Sequence, residues 1–146
     1  MYLSTSLRID ENTYPMVGSF TVDTVLERKP QGHGYICVEV CGPNPFYTLG
    51  TVLTGHEFHY SYITGLDEAA ATYAFRVLRG HGMDGRRDGI SVFNALGTYA
   101  HVHALGEPLW VDGILKRARE FRQTFEAGNR LHQLKYRSQG LIIVSK

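Results

Sequence analysis

The chain has 146 residues, enough for one domain around a single core. Hydrophobic residues make up 43% and charged residues 20%, and fifteen basic residues against fourteen acidic ones leave a formal net charge of +1, the profile of a soluble globular protein. No basic stripe, bilayer-length apolar run or basic-then-apolar leader occurs, which argues against nucleic-acid and membrane partners and predicts a cytoplasmic protein.

In chain order, residues 4–12 are polar and read as a loop, and residues 14–20 read as a short apolar strand leading to a second loop. Residues 34–41 alternate like a strand and end at Gly42-Pro-Asn-Pro45, a strong turn signal. This strand carries both cysteines, Cys37 and Cys41, on one face, and the favoured reading is a pair of buried, reduced thiols. Residues 51–54 and 56–63 read as strand broken at Gly55, residues 67–71 as a helical turn, and residues 72–78 as strand. Four glycines between Gly80 and Gly89 must turn the chain into another strand at residues 90–94, making a hairpin. A helix is predicted after Pro108, where Trp110, Ile114, Ala118, Phe121 and Phe125 recur at three- and four-residue steps to give one apolar face. Gly128 is its expected stop. The domain is therefore drawn over residues 1–128, and residues 129–146 form a basic tail ending in Leu141-Ile-Ile-Val144, an edge strand or a disordered end.

Two histidine clusters carry the visible chemistry, Gly55-His-Glu-Phe-His-Tyr-Ser61 and Gly97-Thr-Tyr-Ala-His-Val-His103. Histidine titrates near neutrality and serves as acid, base or metal ligand. His101, His103 and Glu107 resemble half of a cupin metal motif, but Gly106 and Pro108 bracket Glu107 and end the strand. His56 and His59 are an odd step apart, so on a strand they face opposite ways. No metal site is assigned, and a histidine-based metal-binding β domain is kept as an alternative.

The first cluster, together with Arg79-Gly-His-Gly-Met-Asp-Gly85 and Asp88-Gly89, resembles the glutamine amidotransferase domain of the cobyrinate a,c-diamide synthase family. Tyr99-Ala-His-Val-His103 resembles the segment that holds the family's catalytic histidine, and Met16-Val-Gly-Ser-Phe20 an earlier segment, with Thr21 in place of the usual proline. The resemblance runs from Met1 to about Ala118. It implies a class I glutamine amidotransferase fold, an α/β flavodoxin-like sheet with helices, of which this chain holds the C-terminal portion. It implies cysteine–histidine catalysis on glutamine, with the ammonia amidating side-chain carboxylates of a corrinoid, or of a related tetrapyrrole such as sirohaem.

His101 matches the family's catalytic base. His103 stands where other class I amidotransferases place an orienting glutamate, and cannot act as an anionic orienter. Glu57, His59 and Ser61 match the central motif and are expected near the site, at the glutamine pocket or a domain contact. The family's nucleophile sits in a Cys-Gly-Gly run shortly before Met-Tyr-Leu, and this sequence starts at Met-Tyr-Leu. The expectation is an N-terminally truncated domain, inactive alone, whose sheet edge pairs in a homodimer or swapped arrangement. The implied partners are glutamine, a synthetase domain or subunit and a tetrapyrrole. No cofactor is expected in this chain, because it has no Gly-x-x-x-x-Gly-Lys-Ser/Thr loop, and ATP and Mg2+ are implied for the synthetase domain. The non-enzymatic alternative is a remnant that binds a partner or ligand.

Overall fold

The computed structural model describes residues 1–67, 69 and 71–138, with residues 127–138 as helical backbone. The described residues combine nine strands and one helix. A four-stranded sheet has the order β2-β1-β3-β6 and a five-stranded sheet the order β5-β4-β7-β8-β9. Every pairing is antiparallel except β1 with β3.

The four-stranded sheet begins where the sequence predicts a loop. β1 (Ser6–Ile9) and β2 (Asn12–Pro15) form a hairpin. All four residues of β2 are exposed, so there is no apolar alternation to read. β3 (Asp23–Leu26) lies between β1 and β6 (Ser61–Thr64).

β4 (Gly32–Val40) turns Ile36, Val38 and Val40 into the core, a β-branched row suited to a half-buried pleated surface. This corrects the reading of the cysteines as buried. Cys37 lies on the opposite face of the strand and is only half-buried, and Cys41 is exposed. β5 (Val52–His59) pairs with β4 and runs through Gly55 without a break. A single residue, Tyr60, then carries the chain into β6 and so into the other sheet.

β7 (Thr72–Arg79) and β8 (Arg87–Val92) form the predicted hairpin, and β9 (Ala95–Gly97) completes the sheet. Before β7, the Asp67 carbonyl accepts the Ala71 N–H at 3.0 Å, the bond of one helical turn. One core cluster joins Ile36, Val38, Val40, Leu53, Phe75 and Ala100. A second gathers Phe20, Met83 and Ile90, with Ile63 and Tyr99 against them, and so ties β6 to β8.

Helix α1 (Leu109–Ser138) starts as predicted but continues through Gly128. A glycine within a helix costs about 1 kcal/mol, which alone does not end one. Its predicted apolar face is not buried: Phe121 is 70% and Phe125 60% exposed. The helix meets the sheets through its first turns, where Gly113 lies against the Phe46 backbone and Arg117 bonds Asn94. Leu141 to Val144, read as an edge strand or disordered end, lie outside the described residues. Among the described residues, no helix is long and apolar enough to cross a membrane.

Candidate functional site

Strand parity divides the first histidine cluster. Glu57 and His59 point inward, at 2% and 8% exposure, while His56 and Phe58 point outward. The odd step between His56 and His59 therefore separates them, as the sequence predicts.

Glu57 holds the hairpin loop. Its Oε1 accepts the His81 backbone N–H at 2.6 Å and its Oε2 accepts that of Gly82 at 2.8 Å. Gly80 makes this approach possible. It has φ +104°, and a Cβ there would lie 2.8 Å from Glu57 Oε1 and 2.9 Å from Ile36 Cγ1. The carboxylate is thus committed to the protein's own backbone, and the Arg79-to-Gly85 motif is the loop it clamps.

His59 continues the buried row. Its Nδ1 lies 2.8 Å from the Ser61 carbonyl, which can only accept, so Nδ1 carries the proton. Its Nε2 is 3.5 Å from Glu57 Oε2, too far for a well-formed hydrogen bond, and is buried without a hydrogen-bond partner among the described residues. Tyr99 stacks on the ring at 3.8 Å with planes 12° apart, and its hydroxyl shares a 2.7 Å bond with Ser61 Oγ. Burial, and the nearby Asp88 carboxyl, hold the Tyr99 hydroxyl above its ordinary pKa, against the opposing pull of the Ser61 bond. It stays protonated at neutral pH.

Asp88 closes the row from β8. It is fully buried, and accepts Thr98 Oγ1 at 2.6 Å, the Tyr99 N–H at 3.1 Å and the Ala100 N–H at 2.9 Å. Burial pushes its carboxyl above the usual range, against these bonds and one from the Gly89 N–H. Glu57, His59, Ser61, Tyr99 and Asp88 together form a polar scaffold beneath the segment that ends in His101.

His101 itself is exposed. Its backbone pairs with that of His56, N–H to carbonyl in both directions, at 2.8 and 3.1 Å. The rings meet on the outer face, with His101 Nδ1 3.3 Å from His56 Nε2 and the planes at 90°. Gly55 permits this, because a Cβ there would sit 2.3 Å from the His101 carbonyl oxygen. Gly55→Ala is therefore expected to force the bridge open and lose its two backbone bonds, a cost of about 1–3 kcal/mol. Urea unfolding followed by circular dichroism measures it.

His103 does not share this contact. It is exposed, and its Nδ1 accepts the Leu105 N–H at 3.2 Å. His101, His103 and Glu107 are not gathered into a metal cluster, and no group of three or more His, Cys, Asp or Glu placed to hold an ion occurs among the described residues. Cys37 lies within regular strand and Cys41 just beyond it, so neither occupies a strand-to-helix turn. The sequence reading missed His56, Asp88 and Tyr99 as members of the arrangement. Parity placed His56 opposite His59, and only the fold turns it outward and brings residue 101 beside it.

Residues 1–109 match the family described as CobB/CobQ-like glutamine amidotransferase domain. Cobyrinate a,c-diamide synthase of Archaeoglobus fulgidus is 40% identical over 118 residues, covering 81% of this chain and 25% of that protein. The enzyme of the same name from Magnetococcus marinus is 35% identical over 105 residues, 72% of this chain and 22% of that protein. That from Methanothermobacter thermautotrophicus is 36% identical over 121 residues, 83% and 26%. The chain thus spans about a quarter of the length of the curated relatives it matches. The two histidine clusters, the glycine loop and the scaffold between them all fall within the matched residues, and the chain belongs to the CobB/CobQ-like glutamine amidotransferase domain family, with its class I amidotransferase-like α/β fold.

Proposed function

We propose that this chain supplies the catalytic base of a glutamine amidotransferase that amidates side-chain carboxylates of a tetrapyrrole, a corrinoid above all. The observation that carries the reading is the His101–His56 pair: an exposed imidazole on a buried scaffold, with Nδ1 against a second ring. When His101 Nδ1 donates to His56 Nε2, the His101 lone pair lies on Nε2, ready to take a thiol proton. The thiolate then attacks the glutamine amide carbon. The C–N bond breaks as His101 returns the proton to the leaving ammonia, and water hydrolyses the thioester to glutamate. His56 thereby takes the orienting role that the family resemblance would give His103.

The thiol comes from outside these 146 residues, since neither cysteine present is placed for the task. The surface that would receive it is aromatic: Tyr35, 75% exposed, and Phe58, 52% exposed, share the outer face of β4 and β5 with His56 and His33. The synthetase domain would bind ATP and Mg2+ and activate the acceptor carboxylate. This chain has no phosphate loop, and no step here passes through them.

The test compares the purified chain with the chain joined to a relative's synthetase domain and cysteine-bearing segment. The chain alone should release no glutamate from glutamine, and the joined protein should release it. Hydrolysis by the chain alone, or none by a folded joined protein, overturns the reading.

A further inference from the structure

We infer that His56 and His101 form a chelating site for a late first-row divalent cation, Zn2+ or Cu2+. The inference rests on their geometry and holds whether or not His101 is a catalytic base. The two facing nitrogens, His56 Nε2 and His101 Nδ1, are 3.3 Å apart. Zinc–imidazole bonds are about 2.0–2.1 Å, and two of them spanning that distance enclose an angle of about 104–111°, close to tetrahedral. The backbones that carry the rings are locked together by the two hydrogen bonds of the His56–His101 bridge. The bridge holds the two Cα positions side by side, within reach of one ion shared by the two rings.

Both rings are exposed, so each can rotate to aim its lone pair at a shared ion, and solvent can fill the remaining positions. Chelation replaces the ring-to-ring hydrogen bond: with the His101 proton moved to Nε2, the Nδ1 lone pair and that of His56 Nε2 both face the ion. Imidazole favours Zn2+, Cu2+ and Ni2+, while hard Mg2+ prefers oxygen ligands. Two protein ligands make a weaker site than a structural zinc centre, and the affinity should be on the order of micromolar. The other candidate pair, His101 with His103, has no comparable lock, and the His103 ring is engaged by the Leu105 N–H.

Isothermal titration of the untagged, metal-free chain with ZnCl2 and CuCl2 at neutral pH tests this, with MgCl2 as control. One ion per chain should bind, Cu2+ more tightly than Zn2+, with Mg2+ giving no heat of binding. His56→Asn and His101→Asn should each weaken binding at least tenfold, and His103→Asn less than twofold. Circular dichroism on each variant confirms the fold. Binding should weaken in acid, as protons compete for the imidazoles. Affinity kept within twofold in a folded His56→Asn variant, or lost in His103→Asn, overturns the assignment. Failure of the metal titration leaves the glutaminase result untouched, and the reverse also holds.

Discussion

His101→Ala in the joined protein is expected to lower glutamine-dependent ammonia release by about 10²–10⁴-fold, the range a positioned general base supplies. Amidation driven by free ammonia should persist, because that route does not pass through the thiol. The two readouts separate loss of the base from loss of the fold. His56→Ala should have a smaller effect, about tenfold, because the ring orients the base without touching the substrate. A positioning role makes a further claim that a packing role does not: the pH–rate profile should shift, since on the proposed reading His56 Nε2 accepts from His101 Nδ1 and so selects its tautomer. An unchanged profile with unchanged rate in His56→Ala would mean that the contact carries no catalytic consequence.

The dependence on His56 shows where sequence reading stops. Strand parity within residues 55–61 correctly sets His56 and His59 on opposite faces, because the period-2 rule is local, but only the fold shows that the face of His59 and Glu57 is the buried one. The hairpin of β7 and β8 is likewise legible, since its glycines mark the turn. What parity cannot give is the partner across 45 residues of chain, and the His56–His101 bridge depends on that. The resemblance to the family points to His101 as the base and to Glu57, His59 and Ser61 as residues near the site. It did not show that Glu57 is spent on backbone N–H groups of residues 81 and 82. The cysteines and the helix fail for a related reason. Cys37 alternates out of phase with Ile36 and Val38, so the strand was legible but its buried face was not. The apolar period of α1 specifies a face without naming what covers it, and among the described residues Phe121 and Phe125 stay exposed.

Asp88 should be the most sensitive stability position in the scaffold. Asp88→Ala removes the acceptor for Thr98 Oγ1 and for the N–H groups of Tyr99 and Ala100, and leaves a void at a fully buried position. The Ala100 N–H keeps Thr98 Oγ1 as a second acceptor at 3.0 Å, so two donors lose this partner, and at about 1–3 kcal/mol for each the expected loss is about 2–6 kcal/mol, a large part of the 5–15 kcal/mol typical of a domain. With a denaturant slope of about 2 kcal/mol per molar, the urea midpoint falls by about 2 M. Asp88→Asn keeps one acceptor oxygen but turns an NH2 group toward the same donors, and should cost less than alanine. Its pH behaviour makes the sharper test. Burial raises the Asp88 pKa in the folded state, so the folded chain holds this proton more tightly than the unfolded chain does. Asp88 therefore favours folding below the ordinary carboxyl pKa, and that contribution is lost as pH rises through the raised value. Asparagine does not titrate, so the gap in urea midpoint between wild type and Asp88→Asn should be wider near about pH 4 than at neutrality. A gap that widens toward neutral pH would mean that the donors around Asp88 outweigh its burial and hold it as a carboxylate. In either case, Asp88 anchors the segment leading to His101 beside the Tyr99–Ser61 bond and the His56–His101 backbone pair, so Asp88→Asn should also loosen the His56–His101 contact.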